Sequence, residues 1–600
     1  MIDSLKKIFK LFSHKDRIKL LILFFMMIVA SFIEVLGIGM IPVFVVTIAE
    51  PDKVLSLNYI GPVLESWNIT TSKELALFGA IALIVVYIFK NLYLTFFKFI
   101  KIRFVKNKKI NLQDRVFKAY MAAPYTFFIK RNSAELLRNV NSEVSKIING
   151  TVMPILEIFL NIFMFSLIIG GLLYLEPIIT LITLLMMGGG GYIFLRLTQE
   201  KTVESGKIIR SASGDMNRVI LQGLGGFKDA RVLNRENLFL KQYNKFAKIQ
   251  VKASIYQSVI KSLPKPIIET LMVVGILTIT LIMVFEGREF TQIIPILTLF
   301  GVAAVKLMPI FNNVIQQITT IRYSAYSVYA IFDDLEILEN EYKEFREKIL
   351  SKSDRMELKS EIKLDSLSYR YPGADEYAVK DVSITIPKGK AVAFVGASGA
   401  GKTTLVDVIL GLLTPEYGKI LVDGTDIQDN IRGWMKNIGY IQQTNYLLDE
   451  RIFRNIAFGV PDNEVDKEKL NGAIKAAQLE ELISKLPKGI RTKSGERGTR
   501  LSGGQQQRIG IARALYNNPQ VLIMDEATSA LDNITEKYVI EAIERLRGDR
   551  TIIMIAHRLT TVQNCDIIYL MEEGEIIDSG TYEELLVKSP KFREMSLIDD

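Results

Sequence analysis

The chain has 600 residues, 49% of them hydrophobic, and a positive mean hydropathy, so it is too long for one core and too apolar for an ordinary soluble protein. Its single cysteine, Cys565, excludes an intramolecular disulfide and a cysteine-rich metal site and reads as a small buried hydrophobe. The net charge of +9 does not point to nucleic acid, because the basic residues gather beside apolar runs rather than on a recognition helix with interleaved aromatics; it reads as membrane topology.

The chain opens on "MIDSLKKIFKLFSHKDRIK", which is basic, amphipathic and without a small-residue cleavage site, and reads as a retained cytosolic elbow helix. Six apolar runs follow, at about residues 20–48, 75–97, 152–175, 178–197, 265–285 and 293–315, each near or above the length that crosses hydrocarbon. The segment after the second run, "KFIKIRFVKNKKINLQDRVFKAY", is dense in Lys and Arg, whereas "EGREF" between runs five and six holds one Arg, so the basic side is cytosolic. The connections 98–150 and 196–262 are long, polar and helix-patterned, which predicts helices continuing into the cytosol. Pro51–Trp67 reads as an outer loop or a short interfacial helix, and "MGGGGY", Met187–Tyr192, as close helix packing or flexibility with no chemical role. A charged linker, 333–360, separates a membrane domain, 1–332, from a second domain, 361–600.

The second domain begins with strand-type alternation, then the apolar strand "AVAFVG", then "GASGAGKTT" opening the helix "LVDVILGLL". This is a phosphate loop: Gly396, Ala397, Ser398, Gly399, Ala400 and Gly401 point backbone N–H groups at an anion, Lys402 reaches the β- and γ-phosphates, and Thr403, followed by Thr404, offers a hydroxyl to Mg²⁺. "QVLIMDEATSALD" is an apolar strand ending in two carboxylates, of which Asp525 is placed to hold the metal and Glu526 to polarise an attacking water.

With "LSGGQQQR", Leu501–Arg508, these motifs resemble the ATP-binding cassette family over essentially all of 361–600. The resemblance implies an α/β P-loop nucleotide-binding domain fused to a six-helix exporter-type membrane domain. It further implies a head-to-tail dimer in which Ser502, Gly503, Gly504 and Gln505 of one subunit cap the γ-phosphate bound by the other. Tyr371 is similar to the aromatic that stacks on adenine, Gln443 to the glutamine that senses Mg²⁺, His557 to the γ-phosphate switch, and Ser529–Asp532 to the loop coupling the two ATP sites. One departure is Gln442, where many relatives carry proline or serine. The segments "PYTFFIKRNSAELL" and "GGFKDARVLN" resemble the helices that couple membrane domain to cassette. Six spans ahead of one cassette resemble a half-transporter, and the intact Glu526 and "LSGGQ" favour a homodimer.

Three lysines stand within or beside apolar runs: Lys90, Lys265 and Lys306. Counted from the outer ends at about 1.5 Å per residue they lie roughly 22, 30 and 20 Å deep, all in the cytosolic half. Intramembrane ammonium groups are expensive and point to function. Doubled by dimer symmetry they would form a basic belt suited to a diphosphate head group. The competing reading pairs Lys265 with Glu269 at i,i+4, lets Lys90 snorkel, and pairs Lys306 with Glu34 or Glu157. These positions are similar to arginines of bacterial lipid-linked oligosaccharide flippases; lysine keeps the charge and loses the bidentate fork.

The expected function is therefore ATP-driven, Mg²⁺-dependent flipping of a polyprenyl-diphosphate-linked glycan across the cell inner membrane, with N-terminus and cassette cytosolic. The alternatives are export of drugs, peptides or other lipids, and a membrane-anchored ATPase regulating a channel or partner.

Overall fold

The computed structural model describes residues 7, 10, 12–49, 66, 69, 71–175, 177–285, 290–350, 353–525, 541, 544–556 and 558–599, excepting the side chains of 290–300 and a few others within the helices. Most of Pro51–Trp67, and Glu286–Glu289, lie outside them. The chain forms two compact units: unit 1 comprises Met1–Met121 and Arg131–Glu341, and unit 2 comprises Ala122–Lys130 and Tyr342–Asp600.

Unit 1 is helical. Its long helices are α1 (His14–Ala49), α2 (Ser72–Met121), α5 (Met153–Leu175), α6 (Pro177–Gly225), α8 (Glu236–Ser262), α9 (Pro264–Phe285) and α10 (Phe290–Glu336); α3 (Tyr125–Ile129) belongs to unit 2, and α4 (Ser133–Arg138) and α7 (Phe227–Val232) are short. Among the described residues, five stretches, His14–Ile41, Ser72–Met121, Ser133–Tyr174, Thr180–Gly225 and Glu236–Phe285, are long and apolar enough to cross a membrane. The sixth expected run lies within α10. Leucines and phenylalanines of α1, α2, α6 and α9 stand exposed along these stretches, for example Phe25, Phe89, Leu185 and Leu277, as a hydrocarbon solvent requires. With α2 at 50 residues and α6 at 49, each about 75 Å long at 1.5 Å per residue, both continue far past a hydrocarbon core of about 30 Å.

The glycine run sits inside unbroken α6. A Cβ on Gly191 would stand 2.9 Å from the Phe311 ring, and one on Gly190 2.6 Å from Leu271 Cδ1, whereas Gly188 and Gly189 meet nothing within 4 Å. Two of the glycines thus bring α6 against α9 and α10. Gly191→Leu is expected to lower the thermal unfolding midpoint in detergent through overpacking of about 1–3 kcal/mol, and Gly189→Ala to leave it equal or higher, because alanine is the better helix former.

Unit 2 is built on a six-stranded sheet ordered β10-β9-β3-β8-β7-β6, with a four-stranded antiparallel sheet, β2-β1-β4-β5, beside it. The strands are β1 (Glu361–Tyr369), β2 (Val379–Pro387), β3 (Ala391–Val395), β4 (Tyr417–Val422), β5 (Thr425–Asp426), β6 (Ile438–Ile441), β7 (Val521–Asp525), β8 (Thr551–Ile555), β9 (Ile567–Glu572) and β10 (Glu575–Gly580). Strands β9, β3, β8, β7 and β6 are parallel, and only β10 runs against its neighbour. Every residue of β3 is buried: Ala391, Ala393 and Val395 enter one core, while Val392 and Phe394 enter the other. The two-residue period of a strand, apolar at both phases, is what a sheet covered on both faces requires. Cys565 is buried in the first of these cores, and burial pushes its thiol up to about 12, so it is an inert core residue.

Candidate functional site

The carboxyl ends of the parallel strands carry the nucleotide motifs, the edge where such sheets hold ligands. The loop 396–401 leaves β3 and enters α11 (Lys402–Ile409). Gly401 caps that helix at φ 96°, and a Cβ there would lie 2.3 Å from the Ala378 carbonyl oxygen; one on Gly396 would lie 2.2 Å from that of Met571. Only glycine fits either place. Lys402 is 5% exposed, and its Nζ donates to the carbonyls of Gly396 (2.7 Å) and Ala397 (2.9 Å), so the ammonium stands inside the curl of the loop. The loop and helix start form a cradle of N–H groups closed by a positive charge, which can hold a polyphosphate. The far end of α11 is tied down by the fully buried Trp434, whose Nε1 donates to the Ile409 carbonyl at 2.7 Å.

Two strands away in the same sheet, Asp525 ends β7. Asp407, on α11, stands near enough that burial, and then the Asp525 carboxylate, push its carboxyl up to about 6. The Asp525 carboxylate at the end of β7 and the Thr403 hydroxyl in the first turn of α11 are oxygen ligands of the kind Mg²⁺ takes. Tyr440 shares the site, its phenol raised by burial and then by Asp525 and Asp407. Tyr125 of α3 approaches Asp407 and Tyr371, its phenol raised by burial first. Tyr371 lies beside the loop, its hydroxyl 3.2 Å from Thr404 Oγ1. Sequence reasoning missed Asp407, which no motif singles out; Tyr125 lies in the segment "PYTFFIKRNSAELL" that resembles a coupling helix, without a sequence signal for its place beside Asp407.

Because Asp407 has a folded value above its unfolded one, its contribution to stability is complete below about pH 4 and is lost as pH rises through 6. In nucleotide-free protein held in chelator, Asp407→Asn is expected to raise the unfolding midpoint at pH 7.5 and to change it little at pH 4.5. A gain of about 1 kcal/mol is expected once solvent screening of a partly exposed group is discounted. Equal shifts at both pH values would refute this.

The string "LSGGQ" opens α12 (Gly503–Leu515) with a capping box: Ser502 Oγ accepts from Gln505 N at 3.3 Å, and Gln505 Oε1 accepts from Ser502 N at 3.0 Å. Ser502 and Gly503 are exposed and Gly504 is buried, so the cap is rigid and its outer surface open. Gln443 is exposed just beyond β6. A link that sequence reasoning missed joins this segment to α12: Asn445 Nδ2 donates to Gln507 Oε1 at 2.7 Å, and Gln507 Nε2 to the Gln442 carbonyl at 3.3 Å. A Cβ on Gly510 would strike the Asn445 amide at 2.3 Å, so the close approach is built in. Glu526, Ser529, Asp532 and His557 lie outside the described residues.

In unit 1 two of the three lysines, Lys90 and Lys306, share one carboxylate. Lys90 Nζ lies 3.3 Å from Glu34 Oε2, and Lys306 Nζ 3.5 Å from Glu34 Oε1, so one carboxylate from α1 joins α2 to α10. The Lys90 side chain is 5% exposed, over the Tyr87 ring at 4.6 Å and close against Gly37; the Lys306 side chain is 42% exposed. Lys90 is therefore buried rather than snorkelling. Glu157 pairs with Lys101 instead of Lys306, at 2.5 Å. Lys265 is exposed on α9 and makes no ion pair with Glu269 among the described residues. Two ammonium groups and one carboxylate leave the cluster a net charge of +1.

Two family models match the chain: an ABC transporter model over residues 379–529 and an ABC transporter transmembrane region model over residues 20–307. The chain is 29% identical to the heterocyst differentiation ATP-binding protein HepA of Nostoc sp., over 96% of this chain and 93% of that protein. It is 31% identical to an ATP-dependent lipid A-core flippase of Francisella tularensis, over 78% of this chain and 76% of the relative. The solved structure of a bacterial Atm1-family ABC exporter with ATP bound shares the fold at a TM-score of 0.75, covering 94% of this chain and 98% of that one at 21% identity. The chain belongs to the ABC transporter family. It is a membrane protein of exporter type that binds ATP and couples its hydrolysis to transport.

Proposed function

We propose that two copies of this chain form a homodimeric flippase of the cell inner membrane, cassettes and N-termini cytosolic, that moves a polyprenyl-diphosphate-linked oligosaccharide by alternating access. The observation that carries the substrate class is the Glu34 cluster: a net positive charge inside an apolar helical unit, with Lys306 its accessible member. Such a charge suits an anionic head group and is wasteful for an apolar drug. Export of another lipid is the second reading, favoured by the relatives named as lipid A-core flippases.

In this reading the exposed cap at Ser502 and Gly503 closes over the γ-phosphate held by Lys402 of the other copy, and two ATP molecules join the cassettes. Thr403, Asp525 and Gln443 would hold Mg²⁺, which would supply neutralisation of the charge that develops on the transferring phosphoryl group. Glu526 orients and polarises the attacking water, and His557 contacts the γ-phosphate. Cassette closure turns the cavity outward and hydrolysis resets it, a population shift driven by nucleotide. The exposed apolar residues around α7, Phe227, Val232 and Leu233, suit the second coupling contact.

The test is ATP-dependent translocation of a labelled diphosphate-linked glycolipid in reconstituted vesicles. Wild type moves the lipid, Glu526→Gln does not, and Lys306→Ala moves it poorly while hydrolysing ATP. Wild-type vesicles that move no such lipid, with ATPase stimulated by apolar drugs, would favour the drug-export alternative.

A further inference from the structure

Unit 1 holds a polar cleft of about 340 Å³ between α4, the polar extension of α6, and Tyr326 of α10. Its walls carry four cations, Arg138, Lys207, Arg210 and Arg218, against two carboxylates, Glu135 and Asp215. Asp215 is taken by Arg218 at 2.7 Å, and Glu135 stands 3.6 Å from Arg138. Lys207 is exposed and makes no ion pair among the described residues.

The two central guanidiniums are held from behind. Glu143, fully buried in a π-turn (Asn139–Glu143), accepts from Ser327 Oγ at 2.5 Å and from Lys146 Nζ at 3.0 Å. Arg138 Nε and Arg210 Nε stand 3.8 and 3.7 Å from its oxygens, near enough for charge attraction and too far for a hydrogen bond, and both Nε atoms are buried without a bonded partner. Arg210 also lies over the Tyr326 ring at 4.8 Å. A Cβ on Gly214 would come within 2.1 Å of Arg138 Nη1, so glycine at this position gives the Arg138 guanidinium its place in the cleft. A merely solvated basic face would not bury guanidinium nitrogens unbonded, at about 1–3 kcal/mol each, or clear space for one of them.

We propose that this cleft is a second anion site, separate from the nucleotide loop, which takes the phosphate or diphosphate group of a small phosphorylated ligand. Arginine's planar fork matches phosphate oxygens, and two such forks fixed by a buried carboxylate are pre-organised for them. The volume lies at the lower end of small-ligand pockets, which run from about 300 to 1,000 Å³, and so admits a phosphate ester or a diphosphate with one attached group. The proposal does not rest on the glycolipid reading.

The test uses full-length protein in nanodiscs carrying Lys402→Ala, so that the phosphate loop does not compete, titrated with inorganic pyrophosphate in a calorimeter. One saturable site per chain is expected, weakened at least about tenfold by Arg210→Gln and about fivefold by Lys207→Gln, whose exposed side chain is not needed for folding. Gly214→Ala is expected to weaken it comparably without removing any charge, an effect that net charge alone cannot give. Absence of saturable binding, or affinity unchanged from the Lys402→Ala parent in both Lys207→Gln and Gly214→Ala, overturns the proposal. Farnesyl diphosphate in bicelles distinguishes the source: competition with pyrophosphate assigns the site to a lipid head group, and pyrophosphate binding without competition assigns it to a soluble anion.

Discussion

Lys402→Ala is expected to reduce steady-state ATPase activity at least about a hundredfold and to abolish ATP-driven transport. Two losses combine. The Lys402 ammonium is the buried positive charge of the phosphate loop, and a pre-organised donor aimed at developing charge is worth about 10²–10³ in rate. The same Nζ also ties the carbonyls of Gly396 and Ala397, so its removal loosens the cradle before nucleotide arrives. Lys402→Arg should not rescue, because the larger fork does not fit a site only 5% exposed. Coupled-enzyme measurement of phosphate release from protein in nanodiscs decides it; activity above about a tenth of wild type would contradict this assignment of the loop.

Lys90→Met should prove the more damaging of the two membrane-lysine substitutions for folding, and Lys306→Ala for lipid movement. Removing Lys90 leaves the Glu34 carboxylate among apolar helices with Lys306 alone, 3.5 Å away, and breaking a buried pair costs about 3–5 kcal/mol. Adding Glu34→Gln to Lys90→Met removes the stranded charge and should restore most of the lost thermal stability. Lys306 is 42% exposed, and its loss leaves the Lys90–Glu34 pair at 3.3 Å, so the fold should survive while the cluster's net charge falls to zero. The outcome that sinks this division is a Lys90→Met protein as stable as the parent, or a Lys306→Ala protein that translocates the glycolipid at the parental rate.

The pairing on Glu34 also changes what a two-fold assembly would present to a substrate. Six lysines counted as independent charges would give +6; with each Glu34 ionised, two copies carry +4, of which the two Lys265 groups supply half. An anionic head group would thus meet Lys306 with a carboxylate already bound to it, and would have to offer the ammonium a better partner than Glu34 does. That requirement selects for a multiply charged group over a single carboxylate.

Much of this was legible in the sequence, for a physical reason: the features that carry it are contiguous. Apolar runs long enough to cross hydrocarbon, a strand with hydrophobic residues at both phases, and a glycine loop opening a helix are properties of neighbours along the chain. So the exporter-type membrane domain, the phosphate loop at Gly396–Thr403 and the α12 cap at Ser502 could be read before any coordinates. What the tertiary structure alone decided is who meets whom across long separations. Glu34 takes both Lys90 and Lys306, Asp407 lies within electrostatic reach of Asp525, and Gly191 makes room for Phe311. Glu143 gathers Arg138 and Arg210 from two helices. None of these follows from periodicity, because a helix pattern states which face is apolar but not which residue of another helix lies opposite. In an apolar or buried setting an unpaired charge is so costly that its partner largely determines its role, and only the packed structure names the partner.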